Sequence, residues 1–246
     1  MSLKNDIISD VKNIIDTKFE VEDVSYVPDI ANSKLTYGNT GLQFEGTVLY
    51  VDMRGSTAIL TKHNRPVVAK IHMAYFHAIL KIAQSVNGEV RSFNGDSVLV
   101  FFHGNSIPIL NNAVYAAMQM AYIISSDDGI NSYLSKYSAV NFGIGIDFGH
   151  ILCTKIGLSR TPNNQDLIWI GHAVNKSTVI SDNCKNPYHV GIASVVYNNL
   201  NDNIKISTKK NAWGYEEKVN MWTQGNITYN GQIETYYYTN WYFTVD

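Results

Sequence analysis

Only two cysteines, Cys153 and Cys184, occur in the 246 residues, and they lack CxxC spacing. Their scarcity excludes a disulfide-stapled scaffold and a thiolate zinc site, so both are read as reduced structural thiols. Arginine is scarce as well, with Arg54, Arg65, Arg91 and Arg160 the whole supply. Neither sign of charge dominates: 19 Lys and Arg stand against 21 Asp and Glu, a formal net charge of -2. No basic surplus is available to coat nucleic acid or an anionic membrane, and an anionic ligand must be caught by local groups. The longest nearly apolar run, Ala113 to Ile124, is about half the ~20 residues of a membrane helix, and the polar opening MSLKNDIISD has no signal-peptide pattern. A cytoplasmic location is the expectation. The seven histidines, His63, His72, His77, His103, His150, His172 and His189, form no HExxH pair and are read as packing or surface residues.

What is present is a 45% hydrophobic chain, long enough to bury a substantial core, without repeats, linkers or low-complexity blocks. Ile7, Ile8, Val11, Ile14 and Ile15 fall at helical spacing and predict an amphipathic helix that packs on or caps the body. A polar, turn-rich lead-in follows over 29–41, and GTVLYVDM then reads as a strand. Arg65-Pro66 opens a helical pattern through Ala83, with Pro66 suited to the first turn. EVRSF and SVLVFF flank Asn94-Gly95, which predicts a tight two-residue hairpin loop pairing Phe93 with Asp96 and Arg91 with Val98. Ile107 to Ser125 reads as a second helix, NFGIGIDFG and HILCTKIG as two strands around Gly149, and SRTPNNQD as a loop. Leu167 to Ile170 leads into a further helix, HVGIAS gives a strand, and the tail around ITYNGQIETYYY predicts aromatic β-hairpins. The β-α-β-β-α-β order predicts one α+β, ferredoxin-like domain over 43–200, with residues 1–42 as an N-terminal helix and lead-in and 201–246 as a β-rich extension packed on the same domain.

Two acids stand at strand ends. Asp52 closes a strand and is followed by Arg54-Gly55-Ser56-Thr57, and Asp96 follows the Asn94-Gly95 turn. Neighbouring carboxylates of this kind grip hard divalent cations, and a glycine-containing turn offers main-chain N–H groups to phosphate oxygens, which outlines a nucleoside triphosphate site. Either Asp taken alone is an ordinary cap or turn former.

Four segments read in order, VLYVDMRGST, VRSFNGDSVLVFF, NFGIGIDFGHI and IGHAVNKSTVISD, resemble the class III nucleotide cyclases over about Gln43 to Leu200. Palm-type polymerases and diguanylate cyclases share the fold, but the turn reads FNGDS and not GGDEF. The D-M-R-G-S-T and W-I-G-x-A-V-N-K phrasing is most similar to the pyrimidine (uridylate/cytidylate) cyclases of the Pycsar anti-phage system. The resemblance implies that Asp52, Asp96 and the Met53 carbonyl hold two Mn²⁺ or Mg²⁺ ions per site, and that main-chain N–H groups from Arg54 to Thr57 hold the β- and γ-phosphates. It implies that Asn175 orients the ribose and the reacting phosphate. The family's transition-state arginine falls at Val179, which cannot neutralise a phosphorane. A replacement must come from the few arginines or a lysine such as Lys176, which lies about 100° around the helix from Asn175. Arg91 is the geometric candidate, because the expected hairpin register places it on the face that Asp96 uses.

The same resemblance makes Ser92 and Ile168 the base-reading positions. Neither supplies the polar groups a purine edge requires, and an unmatched buried polar group costs ~1–3 kcal/mol. Tyr50 lies two residues before Asp52, and strand alternation puts both side chains on one face, where Tyr50 adds bulk to the base pocket. Together these point to UTP as substrate and cyclic UMP as product, with CTP and then ATP as alternatives. Family sites lie between two chains, so the resemblance implies a two-fold homodimer and a separate effector that binds the cyclic pyrimidine. A nucleotide-binding homologue disabled at Val179 is the competing reading.

Overall fold

The computed structural model describes residues 2–32, 34–157 and 164–245. Most of the expected loop SRTPNNQD, Arg160 included, lies outside the described residues. The chain opens on α1 (Leu3–Asp16), capped by Ser2, and a short strand β1 (Glu20–Asp23). The long strand β2 (Thr40–Arg54) follows, then α2 (Ser56–Lys62) and α3 (Arg65–Ser85). Pro66 occupies the first turn of α3, and the Asn64 side chain caps it by accepting from the Val67 N–H at 3.1 Å. Next come the hairpin β3 (Glu89–Asn94) and β4 (Ser97–His103), α4 (Ile107–Ser125), α5 (Ile130–Leu134) and β5 (Asn141–Gly157). β6 (Gln165–Ile170), α6 (His172–Asp182) and β7 (Val190–Ala193) precede two short helices, α7 (Ser194–Asn198) and α8 (Asp202–Lys205). The tail holds β8 (Ile206–Lys210), β9 (Glu216–Asn220), β10 (Thr223–Tyr229) and β11 (Gln232–Thr239).

Nine strands form one sheet in the order β10-β11-β7-β5-β2-β4-β3, with β1 beside the start of β2 and β6 beside the end of β5. Strands β5-β2-β4-β3 are antiparallel neighbours joined through α3 and α4, which is the ferredoxin-like α+β arrangement expected from the element order. Alternation along β2 divides its side chains between two layers. Leu49, Val51 and Met53 are buried with Ile71, Tyr75 and Ile79 of α3 and with α4. α4 is apolar on nearly every side because the core surrounds it: Ala113, Val114, Ala117, Met118 and Ile124 are all fully buried. On the opposite face α6 covers β5 and β2. There Gly145 leaves no room for a side chain, since a Cβ would lie 1.9 Å from the Ser177 carbonyl oxygen and 2.4 Å from the Ser181 nitrogen. At Gly143 a Cβ would stand 2.5 Å from the Ser181 carbonyl oxygen. Backbone therefore meets backbone where α6 crosses the sheet.

Several expectations are corrected. NFGIGIDFG and HILCTKIG are one strand, because Gly149 sits opposite Gly46 inside an unbroken ladder from Leu42–Cys153 to Arg54–Asn141. The hairpin loop is Gly95-Asp96 and not Asn94-Gly95: Asn94 pairs with Ser97 and Phe93 with Val98, while Gly95 takes φ +62°. Ser97 Oγ donates to the Asn94 carbonyl at 2.9 Å and holds this register. β2 begins at Thr40, within the expected lead-in. α1 forms where expected but buries no residue, leaving Leu3, Ile7, Ile8, Val11, Ile14 and Ile15 exposed. It is tied down by the Asn39 amide, which donates to the Ile14 and Thr17 carbonyls at 2.6 Å each. The β10–β11 hairpin forms around Asn230-Gly231 as expected, and the separate β8–β9 pair falls within the expected β-rich extension, whereas β1 lies outside every expected strand.

Gly145→Ala is expected to lift α6 off β5 at a cost on the order of 3 kcal/mol, seen as a fall in Tm of about 10 °C. An unchanged Tm would show that the helix does not depend on this contact.

Candidate active site

Tyr50, Asp52 and Arg54 leave β2 on the face that α6 covers. Asp52 pairs with Ser97 of β4, and the Met53 N–H donates to the Asp96 carbonyl at 3.3 Å, which stitches the two acid-bearing segments together. Burial raises the Asp52 carboxyl above its ordinary pKa; Arg54 opposes the rise, and the nearby charges of Asp96 and Asp182 add to it. The Arg54 guanidinium is anchored on both sides. One Nη donates to Asp52 and lies 3.4 Å from Asp182, and the other donates to the Ser181 carbonyl and to Ser181 Oγ, the latter at 3.2 Å. Beneath the carboxylates the buried Tyr75 hydroxyl has no partner, and its pKa is pushed well above the ordinary value by burial and then by Asp52.

After Arg54, Gly55 adopts φ +75° as the N-cap of α2, a left-handed conformation suited to glycine. Its carbonyl accepts from Ala58 and Ile59, so the N–H groups of Ser56 and Thr57 are the unbonded donors of the first turn. They border a cavity of about 310 Å³ lined by Ser56, Thr57, Leu60, His72, Gly95 and Asp96. The sequence reads His72 as a packing or surface residue, yet α3 carries it back past the turn. Its Nδ1 lies 2.9 Å from the Val68 carbonyl, and Nε2 is the ring nitrogen left over. No local motif marks His72; only the path of α3 does.

One chain thus brings together Tyr50, Asp52, Met53, Arg54, Gly55, Ser56, Thr57 and Asp96. It does not bring in the others. Arg91 sits at a bulge between Val90 and Ser92, which removes the register that had placed it on the face of Asp96. Its Nε donates to the Pro28 carbonyl at 2.8 Å, one Nη to the Val27 carbonyl at 3.2 Å, and it pairs with Glu89 at 2.8 Å. Within the chain it is a tether for the lead-in segment and not the substitute for the missing arginine. Ser92 pairs with Leu99 on the same hairpin. Asn175 is exposed near the start of α6, whereas Arg54 grips its C-terminal end; seven residues of helix separate Asn175 from Asp182, about 10 Å along the axis. Ile168, partly exposed on β6, lines a separate apolar groove of about 740 Å³ with Ile14, Ile15, Phe19, Ile156 and Ile170.

The valine at 179 also has a structural reason. Val179 packs against the cluster of Ile180, Cys184, Ile227 and Tyr236, so this side of α6 is covered by the β10–β11 hairpin. Lys176 is likewise engaged: Nζ donates to Glu234 at 2.7 Å and stands 4.0 Å from the buried Asp147. Lys176 is thus committed to Glu234 and Asp147 within this chain.

The donor set fits a hard divalent metal. Asp52, Asp96 and the Met53 carbonyl offer only oxygen, the preference of Mg²⁺ and Mn²⁺, and among the described residues no group of three or more His, Cys, Asp or Glu side chains stands ready as a softer or closed site. Two carboxylates leave the remaining positions to water and phosphate oxygens, as a substrate-shared site requires.

The ferredoxin-like sheet, which joins an Asp-bearing strand end, a phosphate-type turn and a Gly-Asp hairpin, has the fold of class III nucleotide cyclase domains. The guanylyl cyclase Cya2 superposes with a TM-score of 0.64 at 18% identity, over 80% of this chain and 92% of its own. No family model matches the sequence. Curated relatives do: a uridylate cyclase of Xanthomonas perforans is 30% identical over the whole of both chains, and one of Burkholderia cepacia is 26% identical over 91% of this chain and 96% of its own. The chain belongs to this uridylate cyclase family, has the fold of the class III nucleotide cyclases, and is a nucleotide cyclase.

Burial raises the Asp147 carboxyl to about 6, and its Oδ1 has no partner. Because the folded state holds this proton more tightly than the unfolded chain, the cost of ionising Asp147 grows as pH rises from about 4 to 6 and is constant above. Asp147→Asn is therefore expected to be more stable than the native protein at pH 7, by on the order of 1–3 kcal/mol, with the advantage vanishing at pH 4. Urea unfolding at pH 4, 5, 6 and 7 checks this, and a variant less stable at every pH would refute it.

Proposed function

We propose that the chain converts UTP to 3′,5′-cyclic UMP and pyrophosphate: the ribose O3′ bonds to the α-phosphorus, the bond to the pyrophosphate oxygen breaks, and the hydroxyl proton is released. The observation that carries the choice of base is Tyr50, half-buried beside Asp52 on one face of β2, where burial raises its hydroxyl pKa. On this reading its ring adds bulk to the base pocket and favours a small base. Ile168 carries no side-chain polar atom and Ser92 only a short one, which leaves a purine edge unmatched, and relatives matched over 91% or more of this chain are named uridylate cyclases. CTP is the alternative with the same ring size; a pocket with no carboxylate for the cytosine amino group favours uracil.

Asp52, Asp96 and the Met53 carbonyl would hold two Mn²⁺ or Mg²⁺ ions, which when bound supply Lewis-acid activation of the 3′-hydroxyl and charge neutralisation on the pyrophosphate. The Ser56 and Thr57 N–H groups receive the β- and γ-phosphate oxygens at the mouth of the 310 Å³ cavity. Asn175 orients the ribose and the reacting phosphate. Because Asn175 and Ile168 stand apart from Asp52 in one chain, the reading includes a two-fold homodimer in which each chain completes the other's site. It also includes signalling in anti-phage defence to a separate effector that binds the cyclic pyrimidine. A nucleotide-binding regulatory role is favoured only by Val179, and the paired carboxylates and intact turn weigh against it.

Purified protein with Mn²⁺ and each of ATP, GTP, CTP and UTP, with products identified by mass spectrometry, is expected to yield cyclic UMP. Cyclic CMP or cyclic AMP as the main product would overturn the assignment of the base. Asp52→Ala is expected to abolish pyrophosphate release with Tm within about 3 °C of the native value, a shift of roughly 1 kcal/mol; turnover by this variant would remove the carboxylate pair from the mechanism.

A further inference from the structure

The first half of α6, which carries Asn175, is held by groups from two directions. From beneath, β5 presents Asp147, whose side chain is only 3% exposed. From the side, the β10–β11 hairpin presents Glu234 and Tyr229, close together across the Asn230-Gly231 turn. Lys176 answers both: its ammonium donates to Glu234 at 2.7 Å, stands 4.0 Å from Asp147, and lies 5.1 Å over the Tyr229 ring. One turn earlier, His172 Nδ1 is 3.0 Å from the Tyr229 hydroxyl. Lys176 is itself only 18% exposed and Glu234 33%, so the pair is more constrained than an exposed ion pair, whose value is small. Farther along the helix Val179 and Ile180 meet Ile227 and Tyr236 of the same hairpin. Asn175 follows Val174, buried against the sheet, and precedes Lys176, clamped to the hairpin. Its direction is therefore set by its neighbours on both sides.

We propose that Lys176 and Glu234 are positioning residues, through which the C-terminal hairpin fixes the first half of α6 and so aims Asn175 at the substrate. The proposal rests on the reading of Asn175 as the residue that orients ribose and phosphate. It gives the C-terminal strands a part in catalysis: they occupy the side of α6 where the family's arginine would stand, and hold the helix that carries the remaining polar group.

The test uses the full chain with three variants, Lys176→Met, Glu234→Gln and the double substitution. Hydrogen exchange is followed over residues 172–179, and kcat and KM are measured with UTP and Mn²⁺. Expected are amide exchange at least five-fold faster over this segment and unchanged in β2, kcat down about ten-fold with KM within two-fold, and the double variant no worse than either single one. Lys176→Arg is expected to recover most of kcat. A role confined to stability would instead lower Tm and leave kcat per folded molecule unchanged, and that result would overturn the proposal. So would unaltered exchange over 172–179, a readout that needs no turnover. Full activity in Asn175→Ala would overturn the reading of Asn175 itself, whatever the exchange shows, and so separates the two failures.

Discussion

The contact on which most of the molecule depends is that of α6 with bare strand. Gly143 and Gly145 present no side chain to the helix, and the room for one is filled by Ser177 and Ser181 backbone. At that distance small polar residues on α6 become structural: Ser181 Oγ donates to the Gly143 carbonyl at 2.9 Å, and Ser177 Oγ turns back to Val174 at 2.8 Å. The low seat of the helix lets Arg54 reach its last turn and puts Lys176 near Asp147. A larger residue at either glycine would change the height of α6 and, with it, both of these links.

Charge is distributed around that seat unevenly. At the end of β2, Asp52 and Asp182 share the Arg54 guanidinium, Asp96 adds a further negative charge close by, and burial works against ionisation of Asp52. Such a surplus of carboxylate is poorly matched to anionic triphosphate on its own and well matched to divalent cations arriving with it. Toward the other end of α6 the carboxylate excess is smaller, with Lys176 between Asp147 and Glu234 and over an aromatic ring.

Much of this was legible in the sequence where short-range rules decide. The β-α-β-β-α-β order, Pro66 in a first turn and the strand-end placement of Asp52 follow from periodicity and turn chemistry, and the Asp52–Thr57 turn and Asp96 converge as expected. The hairpin shows the limit. Asn-Gly and Gly-Asp are both acceptable two-residue loops, and Ser97, bonded back to Asn94, decides between them. A shift of one residue, with the bulge at Arg91, was enough to send that guanidinium to Pro28 and Val27. Val179 reads as a defect in the sequence because what covers it, Ile227 and Tyr236, is distant along the chain. His72 and the exposed stripe of α1 escaped for the same cause, since tertiary path and not local pattern places them.

The sheet's β7 is only four residues long and lies parallel to β5, with its other side closed by β11. Every other strand of the central set is specified before β7 in the chain, whereas β10 and β11 come last. On a ribosome, then, the half-made protein displays an open strand edge, a surface on which chains adhere to one another, until the aromatic tail has emerged and folded over it. The tail can form its own turn unaided, but it finds a place to dock only after α6 and β7 are in position. Completion of the fold and covering of the β7 edge are one event.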